Sequence, residues 1–304
     1  MIINYLKKFV FNPAIRFSYL SRFGFYNRMS DIDYVKKEWK VNFNSDLDLI
    51  EPKTFNEKLQ WLKVYDHDDK YTTMVDKYEA KKYVASIIGE QYIIPTYGIW
   101  DKFNDIDFDK LPNEFVLKCT HDSGTVVICK NKSALDKNAC CKKISSYLKR
   151  DYYLCHREWP YKNVKHRIIA EKLMHNGTEE SLTDYKFYCF NGEPLYLYVS
   201  VGLDNHETAQ MSFVNIDLTL ADFGRSDYRP LSCLPAKPDK YDEMIEIAKK
   251  LSNGIPFLRV DLYEINGHVY FGELTFCPCA GMMPFEPKSA DRTVGDMLDI
   301  TYIE

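Results

Sequence analysis

Leu258-Arg259-Val260-Asp261-Leu262-Tyr263-Glu264-Ile265-Asn266-Gly267-His268-Val269-Tyr270-Phe271-Gly272-Glu273-Leu274-Thr275 is the stretch on which the fold turns. Asn266-Gly267 suits a two-residue hairpin turn, whose central positions need φ > 0. The flanking apolar runs therefore read as antiparallel strands at 257–263 and 268–274. Side chains alternate along a strand, so Arg259 and Asp261 share one face. The return strand brings Glu273 back beside Asp261, twelve residues later. Two carboxylates across a hairpin, with a cation beside them, make a site for a hard divalent cation that itself holds phosphate oxygens. The alternative is a surface hairpin with a salt bridge.

A second hairpin signal, Asn191-Gly192, lies between apolar strands at 184–190 and 195–202, and another strand reads at 210–215. Upstream, strands at 114–119 and 125–130 flank His121-Asp122-Ser123-Gly124, and 167–174 is a further strand. Thr54-Phe55-Asn56-Glu57 has the capping-box pattern for a helix over 55–64. Asp76 caps a second helix over 77–88 that Gly89 ends. Two more helices read at 137–150 and 239–252, and 92–100 reads as an extended connection. Hairpins among helices predict an α+β body and not a doubly wound sheet. The predicted divisions are 1–50, a basic aromatic helical region; 51–111, helical; 112–170, a small lobe; and 171–304, a large lobe.

Composition bounds the function. The 304 residues carry 40 Lys+Arg and 44 Asp+Glu, a net charge of −4 that argues against a nucleic-acid binder. With 45% hydrophobic and 15% aromatic residues, the chain is a folded globular protein rich in rings. Nine cysteines without C-x-x-C spacing fit a reduced, cytoplasmic protein, and scattered histidines give no zinc pair. No early segment has the roughly 15 to 20 apolar residues of a signal core or membrane span, so neither secretion nor insertion is expected. Residues 1–30 hold five cations (Lys7, Lys8, Arg16, Arg22, Arg28) and no acid, which leaves −9 for the remainder. Seven rings, among them Phe11, Phe17, Phe23, Phe25 and Tyr26, interleave with these cations. The segment reads either as helices packing their rings on the body or as a peripheral contact with the anionic inner membrane.

Three further features bear on chemistry. Lys118 ends an apolar strand directly before the Ser123-Gly124 loop, where an ammonium group can reach phosphates covered by loop amides. Lys186, beside Asp184, is a lysine in an apolar strand and needs a partner. Glu171-Lys172-Leu173-Met174 suits a purine hinge, with backbone groups for the base edge and apolar side chains for its faces.

The order Asp76-Lys77, Lys118 with its glycine loop, Glu171-Lys172-Leu173, Arg259-Val260-Asp261 and Glu273-x-Thr275 resembles the ATP-grasp ligases. His121-Asp122-Ser123-Gly124, Glu158-Trp159-Pro160-Tyr161 and Gly272-Glu273-Leu274-Thr275-Phe276 narrow the resemblance to the TupA-like branch, associated with bacterial cell-surface polysaccharide and teichuronopeptide synthesis. It covers about residues 50–290. The resemblance implies an ATP-grasp fold, two α+β lobes with ATP between them, preceded by a helical N-terminal region. It implies that Lys118 and Lys186 contact ATP phosphates, that the loop of His121, Ser123 and Gly124 closes over them, and that Lys77 and Asp184 belong to the same cofactor-binding set. Glu171, Lys172 and Leu173 would form the adenine hinge. Asp261, Glu273 and Thr275 would bind Mg2+, and Arg259 would act with Lys186 on the transferring phosphoryl group. The activity implied is a carboxylate–amine ligase that joins an amino acid or other amine to a uronic-acid-containing glycan through an acyl phosphate.

This sequence departs from the wider superfamily at three places. Thr275 stands where an Asn is usual, the phosphate loop has one glycine, and Cys277-Pro278-Cys279-Ala280-Gly281-Met282 occupies the place of a Pro-Gly-Met acceptor loop. Cys277 and Cys279 read as small buried filler. Two other functions compete: a glycosyltransferase using Asp66-His67-Asp68 as a D-x-D motif, although those residues read as a solvated turn, and an inactive ATP-grasp binding module.

Overall fold

Alternation of apolar and polar side chains sorts most strands into two antiparallel sheets. The computed structural model describes residues 9–175, 182–202, 209–234 and 236–303. The small sheet has the order β1-β4-β2-β3, built from β1 (Thr96–Trp100), β2 (Phe115–Cys119), β3 (Val126–Cys129) and β4 (Ile168–Glu171). Phe115, Leu117, Ile168 and Ala170 face Cys140 and Ile144 of the helix Lys137–Leu148. Strand alternation turns Lys118 and Glu171 to the opposite, open face.

The large sheet joins β5 (Asp184–Phe190), β6 (Glu193–Val201), β7 (Gln210–Asn215), β9 (Phe257–Ile265) and β10 (His268–Thr275) in the order β10-β9-β5-β6-β7. A two-residue ribbon, β8 (Gly224–Arg225) with β11 (Phe285–Glu286), lies apart from both sheets. On one face, Phe187, Leu197, Leu258, Val260 and Leu262 bury against Met244, Ile247 and Leu251 of the helix Tyr241–Ser252. On the other, Tyr188, Phe190, Tyr198 and Phe257 pack with Phe55 and Leu59 of the helix Phe55–Tyr65 and with Val294 near the C-terminus. Lys186, Arg259 and Asp261 share that second face with the aromatic cluster, so its apolar end is covered while its other end is charged.

Both Asn-Gly turns form as predicted, with φ of 50° and 88° at Asn191-Gly192 and of 53° and 73° at Asn266-Gly267. The capping box also forms: the Glu57 amide donates to Thr54 Oγ1, and the Thr54 amide donates to Glu57 Oε2. The second helix starts at Glu79, not 77, because Asp76 Oδ1 accepts from the Tyr78 and Glu79 amides at 2.8 and 3.2 Å. Residues 96–100, read as a connection, form the edge strand of the small sheet, since Thr96–Trp100 pairs with β4. The strand expected over 167–174 ends at Glu171, where the Lys172 amide turns to the Pro95 carbonyl at 2.9 Å. A short helix, Lys70–Val75, was not legible in the sequence.

Some of the N-terminal rings pack on the body and others stay exposed. Phe17 stacks on Tyr26 at 4.8 Å and packs with Tyr34, Val35 and Trp39, while Phe11, Phe23 and Phe25 remain 80, 78 and 73% exposed. Lys7 and Lys8 lie outside the described residues.

One irregularity sets the register of the functional hairpin. From the turn, His268 opposes Ile265 and Phe271 opposes Leu262, but Glu273 opposes Asp261, so Gly272 is an inserted residue. Without that bulge, Gly272 would face Asp261 and Glu273 would point into the apolar face. A Cβ on Gly272 would lie 2.8 Å from the Tyr263 ring and 3.0 Å from the Asp261 carbonyl. Gly272→Ala is expected to cost about 1–3 kcal/mol through overpacking, read as a lower denaturant midpoint at unchanged slope; a midpoint equal to wild type would contradict it.

Candidate active site

Two charged clusters of opposite sign occupy the charged ends of the two sheets. In the small sheet, buried Glu171 accepts from Lys118 at 2.7 Å through one oxygen and from Lys81 at 2.5 Å through the other. Burial pulls the Glu171 carboxyl upward, but the two ammonium groups outweigh it and hold its pKa below the ordinary value. Burial is also the main cause that lowers Lys81, against the attraction of Glu171. Two ammonium groups on one carboxylate leave the trio with a unit positive charge, as a phosphate neighbour requires. Lys81 was not singled out from sequence, because its partner lies 90 residues away and its helix shows it only as one lysine beside the buried Ala80 and Val84.

The large-sheet cluster is acidic. Arg259 grips Asp261 through two bonds of 2.7 Å and reaches Glu273 at 3.7 Å. Lys186 lies 2.9 Å from Asp184 and 3.7 Å from Asp261, its register partner across β5 and β9. Burial works against the Arg259 charge, yet Asp261 overcomes it and holds the guanidinium firmly protonated. Three carboxylates against two cations leave one negative charge. Thr275 Oγ1, opposite Arg259 in the register, is buried without a hydrogen-bond partner.

These residues fit a magnesium site. Among the described residues no three His, Cys, Asp or Glu side chains converge as a metal cage. Asp261, Glu273 and the orphaned Thr275 hydroxyl nevertheless form an all-oxygen set. Mg2+ is commonly held by one or two carboxylates together with substrate phosphates and water, so an incomplete protein cage is the appropriate donor set.

The loop between β2 and β3 is braced from beneath. The Lys77 ammonium donates to the Asp122 carbonyl, and the Thr125 hydroxyl donates to the Asp122 carboxylate. Lys77 thus meets the loop's backbone. His121 is buried, stacked on His166 at 3.7 Å, with Nε2 3.1 Å from the Arg150 carbonyl. Ser123 and Gly124 stay exposed at the tip, and Gly124 holds φ of +96°, which favours glycine. In the hinge, Glu171 is committed to the two lysines and the Lys172 amide to Pro95. Leu173 is half-buried beyond them.

Two sequence readings need correction. Cys277 is buried as expected, but Cys279 is exposed, because Cys279 and Ala280 both adopt left-handed φ of 54° and throw the side chain out of the turn. Asp66-His67-Asp68 is not merely solvated: Asp66 accepts from the Tyr71 hydroxyl at 3.0 Å, and His67 stacks on Trp159 at 4.8 Å.

The family model described as TupA-like ATPgrasp matches residues 57–299, which include both clusters and the loop between β2 and β3. The chain belongs to the TupA-like ATPgrasp family. No curated protein matches it in sequence. Solved structures similar to this ATPgrasp chain include D-alanine–D-alanine ligase from Bacillus anthracis complexed with ATP, at 17% identity and TM-score 0.39, over 67% of this chain and 55% of that one. The corresponding ligase from Helicobacter pylori is 12% identical with TM-score 0.40, over 82% and 70%. The ATP-grasp ligase PsnB with minimal precursor, Mg and ADP is 10% identical with TM-score 0.40, over 80% and 65%. The chain spans little more than half the length of the first of these.

The histidine stack ties loop support to pH. Burial, then the neighbouring His166, push His121 from 6.5 down to about 4. Between those values the unfolded chain binds the extra proton, so stability falls as pH drops from about 6.5 to 4, by on the order of 3 kcal/mol at most. His121→Gln is expected to flatten this slope in urea titrations at pH 7 and pH 4.5; an unchanged slope would contradict the assignment.

Proposed function

We propose that this protein is an ATP-dependent carboxylate–amine ligase that joins an amino acid or another amine to a uronic acid of a bacterial surface polysaccharide. The observation that carries the reading is the all-oxygen set of Asp261, Glu273 and Thr275, locked beside Arg259 and Lys186 on one sheet face. Family membership supports the ATP-grasp class. The glycan part of the reading rests on the TupA-like motifs, and a cytoplasmic site of action is part of the same proposal.

In this scheme Lys118 and Lys81 present their excess positive charge to ATP phosphates, Ser123 and Gly124 cover them, and the segment Glu171–Leu173 borders the adenine. Asp261, Glu273 and Thr275 hold magnesium, which neutralises charge on the phosphoryl group. Arg259 and Lys186 orient that group for attack. The substrate carboxylate oxygen attacks the terminal phosphorus, the bond to ADP breaks, and an acyl phosphate forms. The amine lone pair then attacks the acyl carbon, the carbon–oxygen bond to phosphate breaks, and the amine loses a proton. Positioning and charge neutralisation suffice, with no protein nucleophile.

Asp261→Asn and Glu273→Ala should each lower Mg-dependent ADP release, screened over uronic acids paired with amino acids, by on the order of 100-fold or more. ADP release equal to wild type in both variants would sink the reading.

The N-terminal segment supports peripheral contact with the inner membrane. Phe11, Phe23 and Phe25 are exposed beside exposed Arg16 and Arg28, the arrangement of rings and cations that suits an anionic lipid surface. No helix among the described residues is long and apolar enough to cross a membrane. Phe11→Ser with Phe25→Ser should weaken co-sedimentation with phosphatidylglycerol vesicles, and equal sedimentation would dispose of the contact.

A further inference from the structure

A cavity of about 540 Å³ lies where the N-terminal helix Pro13–Arg22 meets the loop between β2 and β3. Its walls are the end of that helix and the following turn, the loop at Asp122–Gly124, and the segment from Lys149 to His156 that follows the helix Lys137–Leu148. The volume is that of a small-molecule pocket. Arg22, Lys149 and Arg150 line it, and among the described residues none of the three has an ion-pair partner. Unpaired cations gathered in one concavity of a chain with net charge −4 call for an anionic ligand. The acids in the wall do not cancel them: Asp122 and Asp151 stand against the three cations and leave a net positive charge.

The cavity is built, and the loop between β2 and β3 forms part of its wall. The Tyr34 hydroxyl bridges Ser21 Oγ at 2.9 Å and the Cys155 carbonyl at 2.5 Å, which ties the N-terminal wall to the opposite one. Fully buried Arg157 stacks on Tyr34 and donates to the Tyr26 carbonyl at 2.8 Å. The Arg150 guanidinium lies 4.1 Å over the Tyr147 ring, which limits its wandering. Cys155 lines the same space as Arg22 and Arg150. Tyr152, in the cavity wall, meets Tyr161 edge-on at 4.7 Å, which fixes that ring against the body. The cavity therefore lies between the end of the N-terminal helix and the exposed Ser123-Gly124 tip, which the ligase reading places over the ATP phosphates.

We infer that this cavity is the subsite for the sugar-acid substrate, with Arg22 and Arg150 holding its carboxylate-bearing end, so that the N-terminal helix is a specificity-determining wall of the active site. The inference rests on the ligase reading for its chemistry but is tested apart from it. Binding of D-glucuronate, neutral D-glucose and inorganic phosphate to the full chain is measured by calorimetry. In parallel, the thermal shift produced by ATP with Mg2+ is recorded. Wild type should bind glucuronate and not glucose. Arg22→Ala and Arg150→Ala should each weaken glucuronate at least tenfold, Arg22→Lys should restore part of it, and the ATP shift should be unchanged in all three. Both arginines are exposed, so the unliganded melting temperature should stay at the wild-type value. Absence of glucuronate binding to wild type, equal binding by both alanine variants, or binding of phosphate alone would overturn the subsite. Loss of the ATP shift in wild type would instead count against the ligase reading, while the glucuronate arm still reports on the cavity.

Discussion

Asp261 in its two-point grip with Arg259 is the interaction around which the large lobe is arranged. The pair lies where the aromatic cluster of the sheet face meets its charged end, buried enough that separate charges would be costly and a well-hydrogen-bonded pair is favoured. Its geometry needs no long-range folding event, since the two residues stand two apart on one strand and share a face. Everything else in the acidic cluster is placed relative to it: Lys186 by register across β5 and β9, Glu273 by the bulge at Gly272, and Thr275 opposite Arg259. Loss of either member would leave a buried charge beside Tyr188 and Phe257 and disturb the core as much as the site.

The two clusters are complementary in sign. One carboxylate shared by Lys118 and Lys81 leaves positive charge on the small sheet, while three carboxylates against two cations leave negative charge on the large one. A polyphosphate accompanied by a divalent metal carries both signs of charge, which is the complementarity on which the proposed ligase reading draws. The connection Ile93-Ile94 touches both parts: Ile94 accepts from Lys81 at 2.6 Å, and Ile93 bridges to Phe271 in β10. The lysine cluster and the bulged strand are thereby held to one short piece of backbone.

The N-terminal region does more than cover the body. Its inner rings, Phe17 and Tyr26, join Tyr34 in a small core, and buried Arg157 secures that core to the segment carrying Tyr152. The cost of desolvating Arg157 is offset in part by Asp31 at 3.4 Å, the Tyr26 carbonyl and the rings of Tyr34 and Tyr153. This anchoring sets Arg22 close to the loop between β2 and β3, so a helix with no part in the sheets walls the concavity there.

The hairpins, their faces and the capping box were legible in the sequence because each depends on neighbours in the chain: positive φ at Asn-Gly, alternation along a strand, a hydroxyl three residues from a glutamate. The pairing of Arg259 with Asp261 was legible for the same reason. Tertiary structure alone decided the rest. Lys81 meets Glu171 only because the helix Glu79–Ile88 is laid against the small sheet, and no local pattern marks it among the lysines. Cys279 faces outward because two successive left-handed residues turn it, a conformation its residue type does not announce. Which N-terminal rings pack and which stay exposed depends on where Tyr34 and Arg157 lie. Most sharply, Glu273 does come back beside Asp261 as the hairpin predicts, but the means was not legible: a strict count from Asn266-Gly267 sets Gly272 there, and only the one-residue bulge, permitted where a glycine lets the Tyr263 ring and the Asp261 carbonyl approach, puts Glu273 opposite Asp261.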